Sequence, residues 1–175
     1  MKTIVLGILI LSSLSLTAQS LPPVHGIAVS GRSIKLPEEV KGKIAVLVIG
    51  FTRNSSAPTE AWAGRFRADF NQSGDVVVLR LPFLEEVPRI FRGLARSGVA
   101  KSAGQDRDRV VPIFESEATF KHLVQYSKPD DAYILVLDRA GTICGVFSGD
   151  VATQYSGARE RVSRLLLVRS DPPAQ

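Results

Sequence analysis

Residues 44–51 read Ile-Ala-Val-Leu-Val-Ile-Gly-Phe, an unbroken apolar and β-branched run. A strand with one wetted face alternates between apolar and polar residues. A run with no polar residue suits a strand covered on both faces, as in the middle of a parallel sheet. After it, Thr52 to Ser56 is a polar loop, and Pro58 falls in the first turn of a helix, where its missing N–H costs little. Trp62, Phe66 and Phe70 then recur every four residues and mark one apolar helix face. Asp75 to Leu81 supplies a second strand. Strand, helix, strand requires a parallel pair, because only a crossover brings the chain back in the same direction.

The rest of the order builds outward from this unit. Upstream, Gly26–Val29 and Ser33–Leu36 flank Ser30-Gly31-Arg32 as a hairpin. Downstream, the pattern predicts a helix between Leu84 and Ser97, beginning near Pro88, and then a loop from Gly98 to Arg109. Val110 to Phe114 is a short strand that Pro112 confines to an edge. Phe120, Leu123 and Val124 give a helix over 117–127. Ala132–Asp138 and Thr142–Phe147 flank Arg139-Ala140-Gly141, a tight antiparallel turn. Val151 to Val168 closes the domain as a helix with Val162, Leu165 and Leu166 facing in. The expected fold is α/β, with three layers: a mixed central sheet, helices on both faces and an N-terminal β-hairpin.

The ends bound the compartment. Lys2 is followed by an apolar stretch from Ile4 to Leu16, and Ala18-Gln19-Ser20 offers small residues at signal-peptidase spacing. That combination predicts a signal peptide over 1–20 and a mature chain beginning at Leu21, exported to the periplasm or secreted. An uncleaved N-terminal anchor is the alternative. Residues 21–170 form one domain, and 171–175 a disordered tail. No second run reaches membrane-spanning length, so no stable membrane insertion is expected once the signal leaves. The net charge of +5 falls to +4 without Lys2. The basic residues form no single stripe, which gives no case for a nucleic-acid partner.

The chain has one cysteine, Cys144, so it cannot run an internal dithiol–disulfide cycle. Cys144 reads as a small buried hydrophobe on a strand or, alternatively, as a lone reactive thiol. His25 and His122 are the only histidines, and with one cysteine they complete no metal spacing. No phosphate loop is present, so neither metal nor cofactor is expected. Glu85-Glu86 and Asp130-Asp131 read as surface pairs. Asp106-Arg107-Asp108-Arg109 reads as a solvated loop or a salt-bridge latch.

The order of elements, with "LPEEVKGKIAVLVIGF", "AYILVLDRAGTI" and the apolar helix after them, resembles the thioredoxin-like superfamily, in its peroxiredoxin and extracytoplasmic branches. Redox-active members carry Cys-x-x-Cys between the first long strand and its helix; the matching stretch here is Ser56-Ala57-Pro58-Thr59. A thiolate at a helix N-terminus is the attacking species in that chemistry, and a hydroxyl without an adjacent base cannot replace it. Those members also place a cis-proline before the strand that ends at Asp138, where this chain has Ala132; Pro129 stands three residues too early unless the loop differs. A weaker similarity, through "DRAGTICGVFSGDVATQ", is to the ATP10-like assembly factors.

The resemblance without its cysteines implies a redox-inactive domain that binds a protein or peptide as an interaction or assembly module. Candidate contacts are the former active-site loop, Arg53, Asn54, Ser55 and Ser56, with Asp130, Asp131 and Ala132 facing it. Trp62 lies near this loop but shares the Phe66 face, which reads as core. An exposed sheet edge capturing an extended segment is the expected mode. The alternative function is a thiol-dependent oxidoreductase or peroxidase-like enzyme using Cys144 alone.

Overall fold

The computed structural model describes residues 19–168. Most of the expected signal peptide and the whole of the expected 171–175 tail lie outside the described residues.

The central sheet has the order β4-β3-β5-β6, with β3 at Ile44–Gly50, β4 at Val76–Pro82, β5 at Tyr133–Leu137 and β6 at Ile143–Ser148. β3 pairs in parallel with β4 and antiparallel with β5, so the sheet is mixed. Every residue of β3 is buried, because it has a strand on either side and a packed layer on either face. Alternation along the strand splits the core in two. Ala45, Leu47 and Ile49 join one apolar cluster, and Ile44, Val46 and Val48 join the other.

The second cluster lies beneath α1 (Ser56–Phe70) and α4 (Val151–Leu167). Trp62, Ala63 and Phe66 come from α1; Tyr155, Ala158 and Val162 come from α4. Trp62 is fully buried, as its spacing implied, and its indole N–H donates to the Gly149 carbonyl at 2.9 Å. The opposite face is covered by the hairpin β1 (Val24–Ile27) and β2 (Ser33–Leu36), together with Phe120 and Val124 from and just after α3 (Glu117–Leu123). Burying each large aliphatic or aromatic side chain in these layers is worth about 1.5–3 kcal/mol. The order and layers are those expected.

Boundaries differ in four places. The first strand begins at Val24 rather than Gly26. Arg89–Phe91 is a 3-10 turn leading into α2, and α2 runs over Arg92–Ala103, through much of the expected 98–109 loop. Gly104, at φ 53°, ends it. α3 stops at Leu123 because Gln125 adopts a left-handed φ of 53°. The Val110–Ile113 segment is not a full strand, yet Val110 and Ile113 bridge Arg80 and Phe83 in parallel, on the outer side of β4.

The Asp106–Arg109 run is partly structural. Asp106 pairs with Arg67 at 3.0 Å, and the Arg107 carbonyl accepts from the Ser30 N–H at 3.0 Å, which ties the hairpin turn down. At the other edge, Ser20 bridges Thr142, and the Ile143 N–H donates to the Gln19 carbonyl at 2.9 Å. Leu21 is 2% exposed. The segment containing the expected signal-peptide boundary is therefore docked along the start of β6.

Candidate functional site

The loop from Phe51 to Ser56 connects the C-terminal end of β3 to α1, the place where a parallel sheet with crossover helices opens its crevice. Thr52, Asn54 and Asp130 draw two loops together there. The Thr52 hydroxyl donates to Asp130 Oδ1 at 2.8 Å, and the Asn54 amide donates to Asp130 Oδ2 at 3.3 Å. Arg53 and Asn54 are exposed, Ser56 is half-buried, and Asp131 lies beside Asp130 in the facing loop. Thr52 was missed by sequence reasoning. Its hydroxyl gave no signal until the Lys128–Asp131 turn was placed opposite.

Two of the expected contacts are corrected. Ser55 is 1% exposed, and its hydroxyl donates to the Thr52 carbonyl at 2.7 Å. It closes its own turn and meets no partner. It is the residue preceding α1, yet its side chain makes no capping bond there, because that oxygen is directed back to Thr52. The turn also needs Gly50, where an added Cβ would stand 2.4 Å from Ser55 Oγ. Ala132 is fully buried beneath α1 and α4, so it lies in the core and cannot face a ligand. It stands immediately before β5; the cis peptide among the described residues is Leu36–Pro37.

No nucleophile is assembled at this loop. Thr59, at the second cysteine place, is 5% exposed, and its hydroxyl donates to the Ser56 carbonyl at 2.9 Å. Cys144 sits on β6 near Leu137, while Asp130 precedes the opposite end of β5. Four residues of strand, about 13 Å, separate those ends. Burial first, and then the charge of Asp138, push the Cys144 thiol above its ordinary value, so the thiolate is disfavoured. His25 and His122 are exposed on separate elements, and no cluster of three or more metal-ligating side chains occurs among the described residues.

Glu85 and Glu86 have local partners. The Glu117 N–H donates to Glu85 Oε2 at 2.6 Å, and Lys121 pairs with Glu86 at 3.1 Å and Glu117 at 2.7 Å. These carboxylates anchor α3 to the segment after β4. Glu117 and Glu86 together raise the Lys121 ammonium pKa, chiefly through the hydrogen bond to Glu117.

The chain aligns with several solved structures over most of its length. A member of the Sco family of cytochrome c oxidase assembly proteins matches with a TM-score of 0.60 and 14% identity, over 87% of this chain and 96% of the other. An exposed lipoprotein thioredoxin from Streptococcus pneumoniae matches at 0.57 and 12%, over 82% and 99%. The thioredoxin domain of a thiol-disulfide oxidoreductase from Bacteroides vulgatus matches at 0.52 and 15%, over 83% and 96%. No protein-family model and no curated protein matches the sequence. The chain has the thioredoxin-like fold. No helix among the described residues is long and apolar enough to cross a membrane.

Proposed function

We propose that this chain is an exported, redox-inactive thioredoxin-like domain that serves as a protein-interaction or assembly module. The observation that carries the reading is the β3–α1 loop: it holds no thiol, and Ser55, its buried hydroxyl, is consumed by the loop's own turn. Ala132 in place of the cis-proline and the distant, thiolate-disfavouring position of Cys144 support the same conclusion. The apolar N-terminal stretch supports export. The contact surface would be Arg53, Asn54, Ser56, Asp130 and Asp131, held in shape by Thr52. Beyond Ile143, where the Gln19–Ser20 segment is docked, the outer edge of β6 offers backbone groups to an extended segment. The weaker likeness to ATP10-like factors rests on the stretch from Asp138 to Gln154 and lends the assembly role some weight.

Insulin reduction and peroxide consumption, measured on the protein and on Cys144→Ser, test the redox half. No turnover from either is expected; turnover that disappears in the variant would replace the reading with a one-cysteine enzyme. Iodoacetamide labelling of the native thiol should still be accelerating with pH at the ordinary thiol value of 9.0. A photo-crosslinking amino acid at position 53 tests the contact surface, with position 140, at the far end of β5, as control. A discrete adduct formed from both positions equally would refute the surface assignment.

A further inference from the structure

The 3-10 turn at Arg89–Phe91 and α2 carry a pattern opposite to that of a core helix. Arg89, Arg92 and Arg96 recur at helical spacing on one side, and Ile90 and Leu94 lie on the other. Ile90 is 84% and Leu94 75% exposed, whereas all three arginines line a groove against the body of the domain. The facing wall is the end of β1 from His25 to Ile27, and Pro112 and Phe114 provide an apolar floor. This hollow encloses about 360 Å³, and a second of about 170 Å³, sharing Arg96 and Pro112 with it, extends toward Ala100.

The groove is electrostatically unbalanced. Glu115 is the only acid lining it, and its Oε1 accepts the His25 backbone N–H at 3.1 Å. Arg92 is held in place, with Nε donating to the Val87 carbonyl at 3.2 Å and its guanidinium 4.9 Å from the centre of the Phe114 ring. Arg89 and Arg96 have no ion-pair or hydrogen-bond partner for their side chains among the described residues. Three arginines line one hollow with a single acid among them, and a carboxylate entering it can accept charge-assisted hydrogen bonds from them.

Shape selects among anions. From Arg89 to Ala100 the helix advances about 16 Å, enough to accompany roughly five residues of extended chain. Arg92 and Arg96 are separated by about 6 Å of helical rise, close to the ~6.6 Å between alternate side chains on one face of a strand. We propose that this groove binds an extended acidic peptide segment. Its alternate carboxylates face Arg89, Arg92 and Arg96, and its intervening apolar side chains rest against Ile27 and Pro112. A lone inorganic anion would leave most of the groove empty. A flat membrane surface would meet Ile90 and Leu94, on the other side of the helix. The groove shares no residue with the β3–α1 loop, so the two sites stand or fall separately.

The test is fluorescence anisotropy of the full chain with a labelled hexapeptide, Glu-Leu-Glu-Phe-Glu-Leu, and its lysine counterpart. The acidic peptide alone should bind, and more weakly as salt rises. Arg89→Gln/Arg96→Gln should weaken it about tenfold or more, since both side chains lack other partners and the fold, checked by circular dichroism, does not depend on them. Ile90→Ser/Leu94→Ser should leave the affinity unchanged, and Glu115→Gln should tighten it. Equal affinity in the arginine variant and the parent would overturn the proposal. So would retention by inorganic phosphate or phosphatidylglycerol vesicles with no binding of the hexapeptide.

Discussion

Glu60→Gln should destabilise this domain more than Arg80→Met, although the first change is chemically the smaller. Arg80 lies on β4 with its side chain 6% exposed, and burial lowers the pKa of its guanidinium. Its principal counter-charge is Glu60 of α1, itself 46% exposed and also bonded by Arg67 at 3.3 Å. Without the Glu60 charge, two guanidinium groups face each other with Asp106, 3.0 Å from Arg67, as the remaining acid. Stranding a fully buried charge costs about 3–5 kcal/mol. The half-exposure of Glu60 and the presence of Asp106 reduce this to about 2 kcal/mol. At roughly 2–4 °C per kcal/mol for a domain of this size, the melting temperature should fall by about 4–8 °C.

Arg80→Met removes the buried charge along with its unpartnered Nε and releases Glu60 to water and to Arg67. Replacing a buried ion by an apolar side chain of similar volume is often close to neutral, so the expected cost is about 0–1 kcal/mol. Thermal and urea unfolding followed by circular dichroism measure both. A Glu60→Gln variant as stable as the parent, or an Arg80→Met variant less stable than Glu60→Gln, would refute the reasoning.

Two further substitutions probe the α1–α4 contact and the β3–α1 turn. The Tyr155 hydroxyl donates to Asp69 at 2.9 Å, so Tyr155→Phe should cost about 1–2 kcal/mol in urea unfolding. Burial first, and then the bond to Asp69, hold the phenol's pKa above its ordinary 10.0. The unfolded chain therefore releases this proton at lower pH than the folded one, and parent stability is full below pH 10 and declines above it, a component Tyr155→Phe lacks. Gly50→Ala should destabilise by about 1–3 kcal/mol through overpacking. Ser55→Ala should recover part of that loss in the same unfolding assay, since Ser55 Oγ is the nearest obstacle and Thr59 Cγ2, at 3.1 Å, remains. No recovery would mean that the turn is not organised around Ser55.

The sequence by itself determined the architecture, because the deciding signals are local and periodic. An all-apolar run at 44–51 suits a strand covered on both faces, and the four-residue spacing of Trp62 and Phe66 marks one buried helix face. The absence of an internal cysteine pair was equally legible, since the chain has a single cysteine. The helix expected from near Pro88 to Ser97 is α2, but its extension to Ala103 was not legible: Gly93 and Gly98 weaken the helical signal, and its apolar residues face outward. The Arg89, Arg92, Arg96 spacing could have flagged the groove, but only the tertiary structure sets β1 and Phe114 against it. Ser55 and Ala132 follow the same rule. Both fall at positions that the sequence marks as candidate contacts, and both are buried because Gly50 lets α1 approach β3 closely and β5 lies beneath two helices. Exposure depends on which elements pack together over long separations in sequence, and no local pattern carries that information.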